Sequence, residues 1–231
     1  MMDTYLMHHG IQGQKWGVEN GPPYPLGRDA YDALIGNDKI AEVIRAGDNI
    51  YRATGSKESN IRNGAYVSNE KDNKDFYQKH FKDFYYGEDT YTAKYTAVKD
   101  VPIASNKVAD EIFTKRYNSD AEFKKAADKA IKGVNFVNRL LGDKESLKLT
   151  TAEKYHQSLG QANSKKSREA KAKYFDDINK AGYGGIIDRN DRTSGSGGWG
   201  LKANNNGVST SATIITDGSA FIQKSITTIK G

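Results

Sequence analysis

The chain has 231 residues, 36% of them hydrophobic, enough to core one large domain or two small ones and too apolar for disorder throughout. Its 35 basic and 29 acidic residues leave a formal charge of +6 and a pI near 9.2, with the signs interspersed and no long basic run, so weak affinity for polyanions is expected rather than a dedicated nucleic-acid site. The lack of cysteine excludes disulfides and thiolate metal sites, the opening lacks the charged-then-apolar pattern of a signal peptide, and no window approaches the roughly 18 apolar residues of a membrane span.

Residues 1–28 read as an extended N-terminal arm. Met7 to Gly27 runs MHHGIQGQKWGVENGPPYPLG, in which repeated glycines and the run Pro22-Pro23-Tyr24-Pro25 oppose any continuous helix or strand. The wording HHGI-x-GQKWG-V resembles a segment found near the termini of head-associated and other proteins of phages and prophages of Gram-positive bacteria. The resemblance covers the arm alone. It implies a phage origin and attachment to a phage head or other virion protein, with the host bacterial cytoplasm and the virion as locations. His8 and His9 read as an exposed pair, because a metal site needs three or four converging ligands and only His80 and His156 remain to add imidazole. Trp16 and Tyr24 read as anchors pinning the arm to its own domain or to a neighbouring subunit.

Beyond the arm, Tyr31, Leu34, Ile35, Ile40, Val43 and Ile44 suggest one or two short helices over Asp29 to Ala46, broken near Gly36-Asn37 and closed by Gly47-Asp48. Two short strands follow, Asn49 to Thr54 and Gly64 to Ser68, each bounded by turn residues. From Asp72, the aromatics Phe76, Tyr77, Phe81, Phe84 and Tyr85 with His80 form a stripe on one helical face, read as core. Tyr91, Ala93, Tyr95 and Ala97 then alternate with polar neighbours, the period-two mark of a half-buried strand.

Asn106 to Leu141 read as helices packed on the sheet, with Phe123, Ala127, Ala130, Val134, Val137 and Leu141 recurring at steps of four and three and a break at Asn118-Ser119-Asp120. Residues 142–167 are polar, with a helical island from Ala152 to Leu159, and are expected to form an insertion or lid. Arg168 to Ala181 reads as a helix stopped by Gly182, feeding a short buried strand, Tyr183 to Asp188. A Gly, Ser and Asn-rich loop around Trp199 precedes two last strands, Ser211 to Ile215 and Ala220 to Ile229, joined by a turn at Asp217-Gly218. Strands at both ends with helices between them imply an α+β domain over residues 29–231.

This order resembles the ADP-ribosyltransferase fold: a strand carrying Arg52, a strand carrying Tyr66-Val67-Ser68, an aromatic helix, a long strand, helices, then Gly182-Tyr183-Gly184-Gly185-Ile186-Ile187-Asp188 and two final strands. The resemblance implies a split mixed or antiparallel sheet with flanking helices and NAD as substrate. Arg52 would grip the dinucleotide and Ser68 would shape the nicotinamide ribose pocket, while Tyr66, Tyr77 or Phe76 would stack on nicotinamide. A guanidinium fork suits pyrophosphate oxygens in a way lysine does not, and a carboxylate beside the ribose stabilises the oxocarbenium-like state as nicotinamide leaves.

The family's late glutamate is missing, since no glutamate follows Glu169. Asp188, Asp191 and Asp217 are the substitutes, and Asp188 is the best placed, after the buried strand and before the flexible loop. Against these roles stand ordinary ones: a turn cap for Asp188 and an edge-strand ion pair for Arg52. The expected function is a phage-encoded, virion-associated ADP-ribosyltransferase-like protein that binds NAD and modifies a host macromolecule, with a host protein as the candidate target. The alternative is an inactive minor head or host-interaction protein on the same scaffold. A nuclease-like toxin is a third reading, with neither clustered bases nor a catalytic histidine pair to support it.

Overall fold

The structure, a computed structural model, describes residues 39–55, 57, 61–68, 89–140, 148–159, 164–187, 196–197, 201–202 and 212–229. The arm, the aromatic helix expected from Asp72 and most of the glycine-rich loop lie outside the described residues. Within them, strands β1 (Ile40–Ile44), β2 (Asn49–Thr54), β3 (Ala65–Ser68), β4 (Thr90–Ala97) and β5 (Val101–Ala104) precede the helices. Helices α1 (Asn106–Ser119), α2 (Ala121–Leu140), α3 (Thr151–Ser158) and α4 (Lys165–Lys180) come next, and β6 (Gly185–Ile187), β7 (Ser196–Gly197), β8 (Leu201–Lys202), β9 (Ala212–Ile215) and β10 (Phe221–Ile229) complete the set. Strands β7 and β8 pair only with each other; the rest form one eight-stranded mixed sheet in the order β1-β5-β6-β9-β3-β2-β4-β10, with β5 and β6 its one parallel pair. The fold is mixed α and β.

The sheet is two half-sheets joined at a hinge. β2 is in register with β4 along all of Asn49–Thr54, and β3 with β9 along all of Ala65–Ser68, yet β2 meets β3 at the single pair Tyr51↔Ser68. Alternation sends Ala65 and Val67 into a core between the halves with Ile50, Ala93, Tyr95, Ile103, Ile215 and Phe221, while Tyr66 packs toward the helices. The inner face is strongly curled. Glu42 on β1 and Thr213 on β9 are three strands apart, about 14 Å in a flat sheet at ~4.8 Å per step, yet Thr213 Oγ1 donates to Glu42 Oε1 at 2.8 Å.

The outer face of β1, β5, β6 and β9 carries the helices. Phe113 of α1 is the hub, stacked on Tyr155 of α3 at 4.8 Å between centroids and edge-on to Phe123 of α2 and Tyr174 of α4. The α1–α2 junction is Asp120, whose Oδ1 accepts from the Phe123 amide and whose Oδ2 accepts from Lys173 at 2.9 Å and Arg116 at 3.3 Å. The amide at the helix start and the two cations hold its carboxyl down to about 2. Arg116 also forks onto both oxygens of Asp177, tying α1 to α4.

Two expectations are corrected. Ile40–Ile44 is a strand, not part of a helix: Ile40, Val43 and Ile44 have helical spacing because an irregularity between Ile40 and Glu42 turns Ile40 toward the helices and Ile44 toward the inner core. The island at Ala152 to Leu159 is not a lid, since α3 starts with a Thr150/Glu153 capping box and buries Ala152 and Tyr155, with Leu159 just after it, in the helical core.

Candidate functional site

The hinge opens into a cavity of about 680 Å³. Beyond Tyr51↔Ser68 the two strands part, so Arg52 of β2 and Tyr66 of β3 border the gap from either side and both line the cavity. Its other described walls are the turn Arg62-Asn63-Gly64, Leu159 after α3, and Arg168, Lys171, Ala172, Phe175, Asp176 and Asn179 of α4. β2 lies between β3 and β4, so Arg52 is not an edge-strand residue, and it is 9% exposed.

The walls are held from behind. Asn63 Oδ1 accepts from the Gly218 amide at 2.8 Å and the Gly64 amide donates to Ile215 O at 2.6 Å, fixing the turn to the end of β9. Gly64 has φ +85°, and a Cβ there would lie 3.0 Å from Phe175 Cε2, so both conformation and contact with α4 favour glycine. Asn179 and Thr216 exchange two hydrogen bonds, at 2.6 and 2.9 Å, which lock the end of α4 to the chain after β9.

Electrostatically the cavity is positive. Arg52, Arg62, Arg168 and Lys171 line it against one carboxylate among the described residues, Asp176, which accepts from Lys180 at 2.5 Å. Burial and the adjacent Arg62 charge hold the Lys171 ammonium below the ordinary lysine range. Such a surface suits phosphate oxygens.

Of the residues singled out from sequence, Arg52 and Tyr66 therefore come together. Ser68 does not join them on the wall: it is 2% exposed and sits at the one point where β3 still pairs with β2, opposite Tyr51, before the strands part. Tyr77, Phe76, Asp188 and Asp191 lie outside the described residues; Ile187, the residue before Asp188, ends β6 opposite Thr213. Asp217 is occupied. It caps the 3-10 turn Gly218–Ala220 through Ser219 and accepts from Lys99 at 3.1 Å; burial opposes its ionisation, and these donors outweigh burial and keep the carboxyl below its usual value.

Sequence reasoning missed the cavity's α4 wall, although Arg168, Lys171 and Phe175 recur at steps of three and four on one helical face. It also missed Glu42, the carboxylate hydrogen-bonded to Thr213 beside the end of β6. Among the described residues no cluster of three or more His, Asp or Glu side chains could hold a metal ion, and no helix is long and apolar enough to cross a membrane.

The class defined by fold and site is a mixed α/β domain with a cation-lined cavity where its sheet divides. No protein-family model matches the chain, and neither a curated protein nor a solved structure matches it.

Proposed function

We propose that the domain is ADP-ribosyltransferase-like and binds NAD in the hinge cavity, as a phage-encoded protein directed at a host macromolecule. The observation that carries the reading is the meeting of Arg52 and Tyr66, from strands that part between them, on one cation-rich cavity of about 680 Å³, within the ~300–1,000 Å³ range of small-molecule sites. Arg52 grips the pyrophosphate, and the ring of Tyr66 or Tyr77 covers nicotinamide. Asp188, one residue past β6, is the carboxylate assigned to the ribose, and Ser68 is assigned to the support of the nicotinamide ribose pocket. As the glycosidic C–N bond breaks, nicotinamide leaves with the bonding electrons and without a proton, so a carboxylate is the group this step asks for.

A second reading, a scaffold that binds without transfer and serves attachment, is favoured by the engagement of Asp176 with Lys180 and of Asp217 with Ser219 and Lys99. Calorimetry of the full chain with NAD tests the shared part: micromolar binding is expected, weakened at least tenfold by Arg52→Lys, which keeps the charge and removes the fork. Absence of NAD binding sinks the proposal. Incubation with labelled NAD and host lysate separates the readings, since label on a protein selects transfer and intact NAD selects the scaffold. The arm's role is tested by deleting residues 1–27, which should lower the amount of protein in purified particles; unchanged incorporation counts against attachment.

A further inference from the structure

The lysines of α4 differ in what they face. Lys165, Lys173 and Lys180 each reach a carboxylate, at 4.0, 2.9 and 2.5 Å, on Glu169, Asp120 and Asp176. Lys171 is turned into the cavity instead. Its ammonium donates to the Leu159 carbonyl at a long 3.3 Å, it has no carboxylate within ion-pair reach among the described residues, and the charge acting on it is another cation, Arg62.

Gly64 sets up this approach. A Cβ there would stand 3.7 Å from Lys171 Nζ as well as against Phe175, so the bare backbone lets the turn carrying Arg62 sit directly on α4. Arg168, one turn earlier on the helix, lines the same cavity. Bringing a partly desolvated ammonium beside a guanidinium is unfavourable in itself. It becomes favourable when an anion with several acceptor oxygens lies between them, because charge-assisted hydrogen bonds to phosphate are stronger than neutral ones and the lysine has donors to spare.

We propose that Lys171, with Arg62 and Arg168, forms a phosphate subsite on the α4 wall that takes the adenosine-side phosphate of a nucleotide, apart from the contact made by Arg52. The proposal rests on the reading of the cavity as a dinucleotide site for the identity of the ligand, and on the α4 wall for its position. ADP alone, which lacks nicotinamide, therefore binds here.

Calorimetry on the full chain with ADP, NAD and inorganic pyrophosphate tests it, using Lys171→Met, which keeps the apolar stem, and Lys171→Arg, which keeps the charge. The expected result is a loss of about tenfold or more in affinity for both ADP and NAD in Lys171→Met. Lys171→Arg should recover most of that loss, and the melting temperature of Lys171→Met should be no lower than that of the parent, because the change removes an uncompensated charge. NAD bound equally by parent and Lys171→Met overturns the subsite and leaves the dinucleotide reading standing. ADP bound in a Lys171-dependent manner without any NAD binding upholds the subsite and removes NAD as ligand. No nucleotide binding by the parent overturns both, and pyrophosphate bound as tightly as ADP overturns the nucleotide assignment. A lower melting temperature with unchanged affinities makes Lys171 structural and overturns the proposal.

Discussion

Replacing Gly185 by alanine should be costly for reasons that are local and countable. Gly185 sits in β6 between β5 and β9, in register with Ile103 on one side and Ile215 on the other. A Cβ at this position would lie 2.8 Å from Ile103 Cδ1 and 2.9 Å from the carbonyl oxygen of Ile214. The first obstacle belongs to a fully buried side chain and the second to the backbone of the adjacent strand, so neither moves aside without disturbing the ladder or the core. Overpacking costs ~1–3 kcal/mol, here at the upper end because one obstacle is backbone, and the entropy alanine removes from the unfolded chain returns ~0.4–1 kcal/mol, leaving a net loss of about 2 kcal/mol. Urea unfolding followed by far-ultraviolet circular dichroism should show a lower midpoint with an unchanged slope, and the melting temperature should fall by about 4–8 °C. Gly133 is the internal comparison: it lies in α2 with nothing within 4 Å of a built Cβ, so Gly133→Ala should leave stability unchanged or raise it by up to about 1 kcal/mol. If Gly185→Ala were as stable as the parent to within about 0.5 kcal/mol, the close packing of β5, β6 and β9 would be refuted.

Phe113→Ala should destabilise by ~3–5 kcal/mol in the same urea assay, because a 2% exposed ring in contact with the rings of Tyr155, Phe123 and Tyr174 is deleted; a loss under about 1.5 kcal/mol would mean that the helices collapse onto the gap. Asp120→Asn keeps a capping side chain and removes its charge, and the depressed carboxyl of Asp120 makes that charge stabilising above the unfolded-state value of 3.8 and ineffective once pH falls through about 2. Parent and variant should therefore differ in urea midpoint at neutral pH and converge on acidification across that window, whereas a difference independent of pH would show that the Lys173 and Arg116 contacts contribute no net stability.

Much of the fold was legible where one face of an element is buried and the other is not. Strand β4 announces itself because Ala93, Tyr95 and Ala97 face the inner core while Lys94 and Thr96 stay half-exposed, and α2 does so through the buried stripe Phe123, Ala127 and Val134. β5 was silent because all four of its residues, Val101, Pro102, Ile103 and Ala104, are buried, which leaves no alternation to see. β1 was misleading because its irregular register converts a strand's period into a helix's spacing. α3 reads as part of an insertion or lid because its polar residues find partners inside: His156 Nε2 lies 2.7 Å from the Tyr174 hydroxyl, and Ser158 donates to the Tyr155 carbonyl. At the site, Arg52 and Tyr66 were legible as residue types on adjacent strands. Lys171 and Arg62 were not, because only the packing of the Gly64 turn on α4 turns two ordinary surface cations into one wall.

The pairing of β10 with β4 carries a consequence for how the chain reaches this state. The two strands are in register from Phe221↔Ala97 to Ile229↔Thr90, yet all four described helices lie between them in sequence. β4 can bind β2 before the helices are in place, across residues 55–89, but its other side stays an open row of amide and carbonyl groups until the last described strand arrives. Closing so long a loop is slow, and an uncovered strand edge is a template for the wrong neighbour in the meantime. Refolding of the full chain should thus become less efficient as its concentration rises, and a synthetic peptide spanning residues 221–229, by occupying that edge, would compete with the chain's own final step.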